Sequence, residues 1–403
     1  MMSDPSILSR RPPPPIPLTV LTGFLGAGKT SLLNRMLKDP ALANSLVIIN
    51  EFGEIGLDHL FVEKVDGDMM MMSSGCLCCT IRGDLVATLE DAIRRRDNGR
   101  IKPFDRVVIE TTGLADPAPV MHTIMYHPYL MLRFRLEGVI CVVDAINGSA
   151  TLDEHEESVR QAAVADRIVL TKTDLASDPS IERDLRARLK RLNPSALVLD
   201  NQKPFDLGTQ LLGLGLYDPD GKTPDVKRWL NAEAFDSPAA DHAHHDHSHS
   251  HGHAHSHDHA LGHTLGHTLG HDINRHDASI RAFCLRSDKR PSPESFQTFL
   301  TLLRETNGPS LLRVKGIVAL SDDPDRPIVI HGVQHVFHPP VRLDHWPDAD
   351  HSTRIVFILK NLEPSFVEKF WALFTGTPAI DQADSQALRD NPLKPPSNGG
   401  LLG

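Results

Sequence analysis

The sequence is poor in cysteine: five in 403 residues, three of them crowded into Cys76-Leu77-Cys78-Cys79. An even, dispersed set of cysteines, the framework that staples small secreted domains, is missing. The opening MMSDPSILSRRPPPPIP lacks the apolar centre of a secretory leader. No apolar run approaches the ~18 uninterrupted residues of a membrane span. Cationic excess is absent too, because the formal net charge is -10, which argues against a general grip on nucleic acid. These absences predict a cytoplasmic protein whose partners are neither membranes nor nucleic acids. What is present, a 40% hydrophobic fraction, suffices for a sizeable core.

Residues 1–15 are polar and then proline-rich, and are expected to be a disordered lead-in. From Ile16 onward β-branched runs alternate with amphipathic stretches. Strands are predicted at Leu18–Thr22, Leu46–Asn50, Arg106–Glu110, Gly138–Val143 and Arg167–Thr171, and helices at Lys29–Leu37, Leu85–Arg96, Glu154–Ala163 and Ile181–Leu192. The runs VVI and IVL are continuously apolar, as strands buried on both faces should be. The pattern predicts an α/β fold over residues 16–235, a parallel sheet covered by helices, and GxxxxGKT directly after its first strand makes it the sheet of a P-loop NTPase. Between Asp241 and Asp272 thirteen histidines alternate with small residues, and this stretch cannot build a core. Residues 236–277 are therefore expected to be a flexible linker. A smaller α+β domain is predicted over 278–375, from strands IRAFCLR, LLRVKGIVAL, RPIVIHGVQHVFH and TRIVFILK and helices SPESFQTFLTLLRETN and EPSFVEKFWALF, with a disordered tail over 376–403.

Gly23-Phe24-Leu25-Gly26-Ala27-Gly28-Lys29-Thr30 satisfies the whole GxxxxGK[ST] pattern between a predicted strand and a predicted helix. Glycines let backbone amides curl around phosphate oxygens, and the helix that begins there, running on through Ser31, turns its positive end toward them. Lys29 would reach the terminal phosphates and the Thr30 hydroxyl would hold Mg²⁺. Thr171-Lys172-Thr173-Asp174 ends a strand where GTPases carry an NKxD-type motif. A carboxylate such as Asp174 can accept both guanine donors, which adenine lacks, so GTP is favoured over ATP.

Arg106–Glu110 followed by Thr111-Thr112-Gly113 has the form of a Walker-B strand and its glycine. Glu110, Gly113 and Lys29 are the expected catalytic groups: Glu110 holding water or Mg²⁺, Gly113 sensing the γ-phosphate. Asn50 to Asp58, with Glu51 and Glu54, suits a mobile segment. The GCLCC run packs a CxxC, a CxC and a vicinal pair into four residues, and thiolates select Zn²⁺, Cu(I) or cobalt-like ions. With one knuckle only, Cys76, Cys78 and Cys79 would leave an open site, completed by water or by a carboxylate such as Glu51. A redox dithiol and a buried cluster are the alternatives. Cys141 and Cys284 are expected in the core, and His122, His127, His331, His335 and His338 to be structural. In the tract, His244, His245, His247, His249, His251, His253, His255, His257 and His259 are candidate auxiliary metal ligands.

The phosphate loop, GCLCC, ETTGLADP and TKTD, taken in order, resemble the CobW family of GTPases. RVKGIV, VQHVF and RIVFI extend the likeness into the second domain. The resemblance implies a GTP-hydrolysing metallochaperone in which nucleotide state governs Zn²⁺ or Co²⁺ at Cys76, Cys78 and Cys79. Lys172 and Asp174 would recognise guanine, and a metal-requiring client protein would be the partner. Cobalt handling for cobalamin synthesis, a P-loop phosphotransferase and a passive metal store are the other readings. The oligomeric state is open.

Overall fold

A computed structural model describes residues 13–52, 69–74, 80–176, 178–212 and 279–376, with the side chains of 50–52, 69–74 and 80–82 excepted. Cys76, Cys78, Cys79, Glu54 and the histidine tract lie outside the described residues, as do 1–12 of the lead-in, the linker and 377–403 of the tail. Among the described residues seven strands form the first sheet: β1 Ile16–Gly23, β2 Ser45–Phe52, β3 Met69–Ser74, β4 Arg106–Glu110, β5 Phe134–Asp144, β6 Arg167–Thr171 and β7 Leu197–Asp200. They lie in the order β3-β2-β4-β1-β5-β6-β7, and every pairing is parallel. The continuous apolar character of β1, β4 and β6 has the expected cause, since nearly every residue of the three is buried.

Helices α1 Lys29–Leu37, α2 Thr80–Asp97, α3 Ala118–Tyr126, α4 Leu130–Arg133, α5 Gly148–Glu154, α6 Glu156–Val164, α7 Pro179–Leu192 and α8 Leu207–Gln210 cover this sheet. One core gathers Leu18, Ile109, Leu89 and Met121 on one face, and another gathers Leu21, Leu33, Met36 and Val108 on the other. The predicted helix Glu154–Ala163 is in fact two. His155 adopts extended dihedrals (φ -128°, ψ 110°), ending α5 and starting α6. Its imidazole stacks on Phe24 at 4.3 Å, so the break places a ring against the phosphate loop.

The second sheet holds β8 Ile280–Ser287, β9 Leu311–Val318, β10 Ile328–Val333, β11 Val336–Phe337, β12 Val341–Arg342 and β13 Thr353–Lys360. Its order is β11-β10-β9-β13-β8, with β12 on β10, and its pairings are antiparallel. The stretch RPIVIHGVQHVFH, expected as one strand, folds into a hairpin. Gln334 takes a positive φ of 54°, and Val333 then pairs with Val336. Helices α9 Pro293–Asn307 and α10 Pro364–Phe374 pack Phe296, Phe299, Leu303 and Trp371 against this sheet. Full burial of each such side chain contributes about 1.5–3 kcal/mol.

The two sheets share cores. Leu312 and Ile358 of the second domain join Val159, Ala163 and Leu189 of the first, and Val333 and Val336 join Met121 and Met125. His122 donates from Nε2 to the Val333 carbonyl at 2.9 Å. Asp166, between α6 and β6, is a buried carboxylate that receives hydrogen bonds from Arg313 and Lys315 of β9.

Candidate nucleotide and metal site

The site stands at the carboxyl ends of β1, β4 and β6, where parallel α/β sheets present loops to ligands. Gly28 ends the phosphate loop at φ 93°, a left-handed conformation that a side chain would strain. It also caps α1 without a side-chain hydrogen bond, leaving the first amides of the helix directed into the loop. Lys29 folds back over the loop, its ammonium donating to the carbonyls of Gly23 at 3.0 Å and Phe24 at 3.3 Å. Leu25 and Ser31 are exposed, while Ala27 is buried under the loop.

Strand pairing sets Leu21 opposite Glu110, which brings the end of β4 beside the loop. The Thr30 hydroxyl donates to Glu110 Oε1 at 3.4 Å, and Glu110 is buried. A hydroxyl and a carboxylate are the hard oxygen donors that suit Mg²⁺. Beyond Glu110, the loop residue Gly113 lies against the phosphate loop: a Cβ at Gly113 would meet the Leu25 amide nitrogen at 2.6 Å. Only glycine permits that approach.

The guanine-type motif sits on the next strand end. Lys172 is left-handed (φ 58°), and its ammonium binds Asp144 at 2.7 Å. Burial would raise the Asp144 carboxyl, but hydrogen bonds from Lys172, from Asn147 and from the Ile146 and Asn147 amides prevail and hold it below the usual carboxylate range. Asp174 is exposed on a short 3-10 turn, receiving Gln202 Nε2 at 2.7 Å. Thr171, standing where an asparagine is usual, donates its hydroxyl to the Ala27 carbonyl at 2.6 Å. It thereby ties the base-side strand to the phosphate loop.

A cleft of about 270 Å³ opens beside the phosphate loop, between the end of β5 and helices α5 and α6, with Lys172 and Asp144 at one side. Cys141 lies in its lining, buried as expected, with burial pushing its thiol up to about 12. That thiol is unreactive at neutral pH. Cys284 is only half-buried, because the face of β8 that carries it is partly open. His331 is buried and His122 bonded, and among the described residues no group of three or more metal-ligating side chains occurs. The structure thus brings together Gly23 to Ser31, Glu110, Gly113 and Lys172, with Asp174 exposed two residues further on and bonded to Gln202. Glu51 lies on β2, next to β4, and its side chain is not described. Asp144, Asn147, His155 and Gln161 were not anticipated. For Asp144 a signal existed: a carboxylate closing the apolar run Gly138–Val143.

Residues 17–200 match the CobW/HypB/UreG nucleotide-binding domain, and residues 280–374 match the cobalamin synthesis protein cobW C-terminal domain. Over 259 residues the sequence is 30% identical to the zinc chaperone CobW of Sinorhizobium sp, covering 57% of this chain and 70% of that one. The chain belongs to the CobW/HypB/UreG family. A second relative, the zinc chaperone YjiA of Escherichia coli, is 41% identical over 184 residues. That alignment takes in 46% of this chain and 57% of YjiA, so less than two thirds of the relative is spanned. The crystal structure of a zinc-bound YjiA GTPase from E. coli superposes with a TM-score of 0.60 at 25% identity, covering 90% of this chain and 99% of that one. The P-loop sheet and the separate antiparallel domain are therefore those of a two-domain CobW protein. Among the described residues no helix is long and apolar enough to cross a membrane.

Proposed function

We propose that this protein is a GTP-binding and hydrolysing metallochaperone. It binds a transition-metal cargo, Zn²⁺ first and Co²⁺ as the rival, at Cys76, Cys78 and Cys79, and delivers it to a metal-requiring client protein. The observation that carries the nucleotide half is the convergence of Thr30, Glu110 and Gly113 on a complete phosphate loop, with Asp174 exposed on the neighbouring strand end. The metal half is supported by the GCLCC run and by relatives named zinc chaperones.

In this reading the amides of Gly26 to Ser31 and the Lys29 ammonium hold the phosphates. Thr30 and Glu110 would hold Mg²⁺, which would supply positive charge to offset that of the phosphates. Glu110 orients the attacking water, and the Gly113 amide reads the γ-phosphate. Lys172 lies along the purine and Asp174 accepts from guanine. Thr171 substitutes for asparagine in a tethering role, and an alcohol suffices for it because the tether to the Ala27 carbonyl needs a single donor. Loss of γ-phosphate contacts would loosen the cysteine segment and release the cargo. Glu51 would complete the metal site, and the histidines from His244 to His259 would gather metal nearby.

The test is competition titration of Zn²⁺ and Co²⁺ with GDP and with a non-hydrolysable GTP analogue, in wild type and a Cys76/Cys78/Cys79→Ala variant. A tight, nucleotide-dependent site that disappears in the variant is expected. Equal affinity in both nucleotide states and both proteins would reduce the molecule to a nucleotide-binding protein with a metal-soaking linker.

A further inference from the structure

Helix α6 has nine residues, yet it and its flanking residues reach the phosphate loop, the loop after Glu110 and the second domain. Before its first turn, His155 stacks on Phe24 of the phosphate loop. Arg160 reaches Asp116 at 3.3 Å, beyond Gly113. Glu156 pairs with Lys360 of β13, and Asp166, just past the last turn, is held by Arg313 and Lys315 of β9. Both ends of the helix are therefore clamped to the second domain.

Gln161 lies between these clamps and is wholly buried. Its Nε2 donates to the Gly113 carbonyl at 3.1 Å and to the Ala115 carbonyl at 2.9 Å, bracketing Leu114. Among the described residues its Oε1 has no hydrogen-bond partner, and the side chain lines the cleft beside the phosphate loop. A buried amide with one orphaned oxygen is an expensive way to fill space, and leucine or methionine would fill it without the desolvation cost. The amide's effect is thus the pair of bonds to the loop. Those bonds fix carbonyls on both sides of Leu114, and so the attitude of the loop whose Gly113 already abuts Leu25. A shift of that loop must stretch both bonds or carry α6 with it, and α6 is clamped to β9 and β13.

We infer that Gln161 is a positioning residue that couples the loop after Glu110 to the C-terminal domain through helix α6. The inference rests on the proposed role of Gly113 in reading the γ-phosphate. It deepens that role by naming the route by which nucleotide state reaches the second sheet. Gln161 touches no substrate; it acts through the backbone of Gly113 and Ala115.

The experiment uses the full chain as wild type, Gln161→Leu and Lys360→Met. Fluorescent GDP affinity, kcat and KM for GTP, and amide hydrogen exchange of β9 and β13 with GDP and with a non-hydrolysable GTP analogue are measured. Wild type is expected to show a nucleotide-dependent exchange difference in β9 and β13. Gln161→Leu is expected to keep GDP affinity and KM within about threefold, lose about tenfold or more in kcat, and lose the exchange difference. Lys360→Met is expected to keep kcat and halve the exchange difference or more. Gln161→Leu with kcat within about twofold of wild type, or a wild type that hydrolyses GTP with no exchange difference, overturns the coupling. Should Gln161→Leu fail to fold, an undiminished difference in Lys360→Met overturns it alone. A wild type that hydrolyses no GTP defeats the GTPase reading itself, which is a separate result.

Discussion

Replacing Asp166 with asparagine is expected to loosen the joint between the two domains. Its Oδ1 is shared by Arg313 and Lys315, and its Oδ2 accepts the Val139 amide at 2.9 Å. All three ionisable side chains are at most 4% exposed, so water cannot replace the lost carboxylate charge. Burial and the Arg313 charge, working against Asp166, already push Lys315 down to about 7. Without the carboxylate Lys315 can shed its proton, but Arg313 cannot. Stranding one partner of a buried pair costs about 3–5 kcal/mol. At about 2–4 °C per kcal/mol for units of this size, the midpoint should fall roughly 6–20 °C. Scanning calorimetry on the full chain would measure it, and the endotherm should also split, since the clasp holds β9 to α6. The triple variant Asp166→Ala/Arg313→Met/Lys315→Met removes the whole cluster and should recover most of the loss, because apolar replacements of buried triads are commonly neutral or better. A single Asp166→Asn variant within about 1 kcal/mol of wild type would refute the reasoning, since its premise is an uncompensated buried cation.

Three further outcomes are expected. Gly113→Ala places a methyl 2.6 Å from the Leu25 nitrogen, so GTP turnover should drop about a hundredfold as loop and phosphate cradle part, and unchanged turnover would remove Gly113 from the site. Thr171→Val deletes the 2.6 Å bond to the Ala27 carbonyl without changing shape, and nucleotide affinity measured by fluorescence titration should weaken about 5- to 30-fold. Burial depresses His338 to about 4 and, with the Lys315 and Arg313 charges, His331 well below its ordinary value. Both stay neutral when folded while the unfolded chain protonates them below pH ~6.5, so stability is full above that pH and is lost as the pH falls toward 4. For His338 alone the loss between pH 7 and 5 is about 2 kcal/mol, and His338→Gln should flatten urea midpoints over that range.

The parts of the site that do chemistry were legible because each is a short contiguous motif at a strand end. GxxxxGKT, VVIE-TTG and TKTD need only their own neighbours and a parallel sheet to define a place, and the sheet announced itself through runs buried on both faces. Elements without such a signature were overlooked. Met69–Ser74 is a strand of methionines, a residue without β-branching, and Leu197–Asp200 is a four-residue edge strand with an exposed first position. The hairpin at Gln334 carries none of the glycine or asparagine pairs that mark such turns, since a glutamine supplies the positive φ.

The coupling residues were hidden for a different reason. Asp166 sits in Ala165-Asp166-Arg167, which read alone is a polar turn between helix and strand, and its partners lie 147 and 149 positions away. Gln161 sits in EESVRQAAV, where Ser158, Val159, Gln161, Ala162, Ala163 and Val164 are all buried. A surface helix buries one stripe, whereas this one is covered nearly all round, and a lone amide in such a helix must answer to another backbone. That coverage depends on the second domain being in place. A binding motif can thus be found from local sequence, but a residue that transmits between domains acquires its role only when the distant strand packs against it. In this chain that strand is β9, and Asp166 is where its hold on α6 is electrostatic and therefore open to direct test.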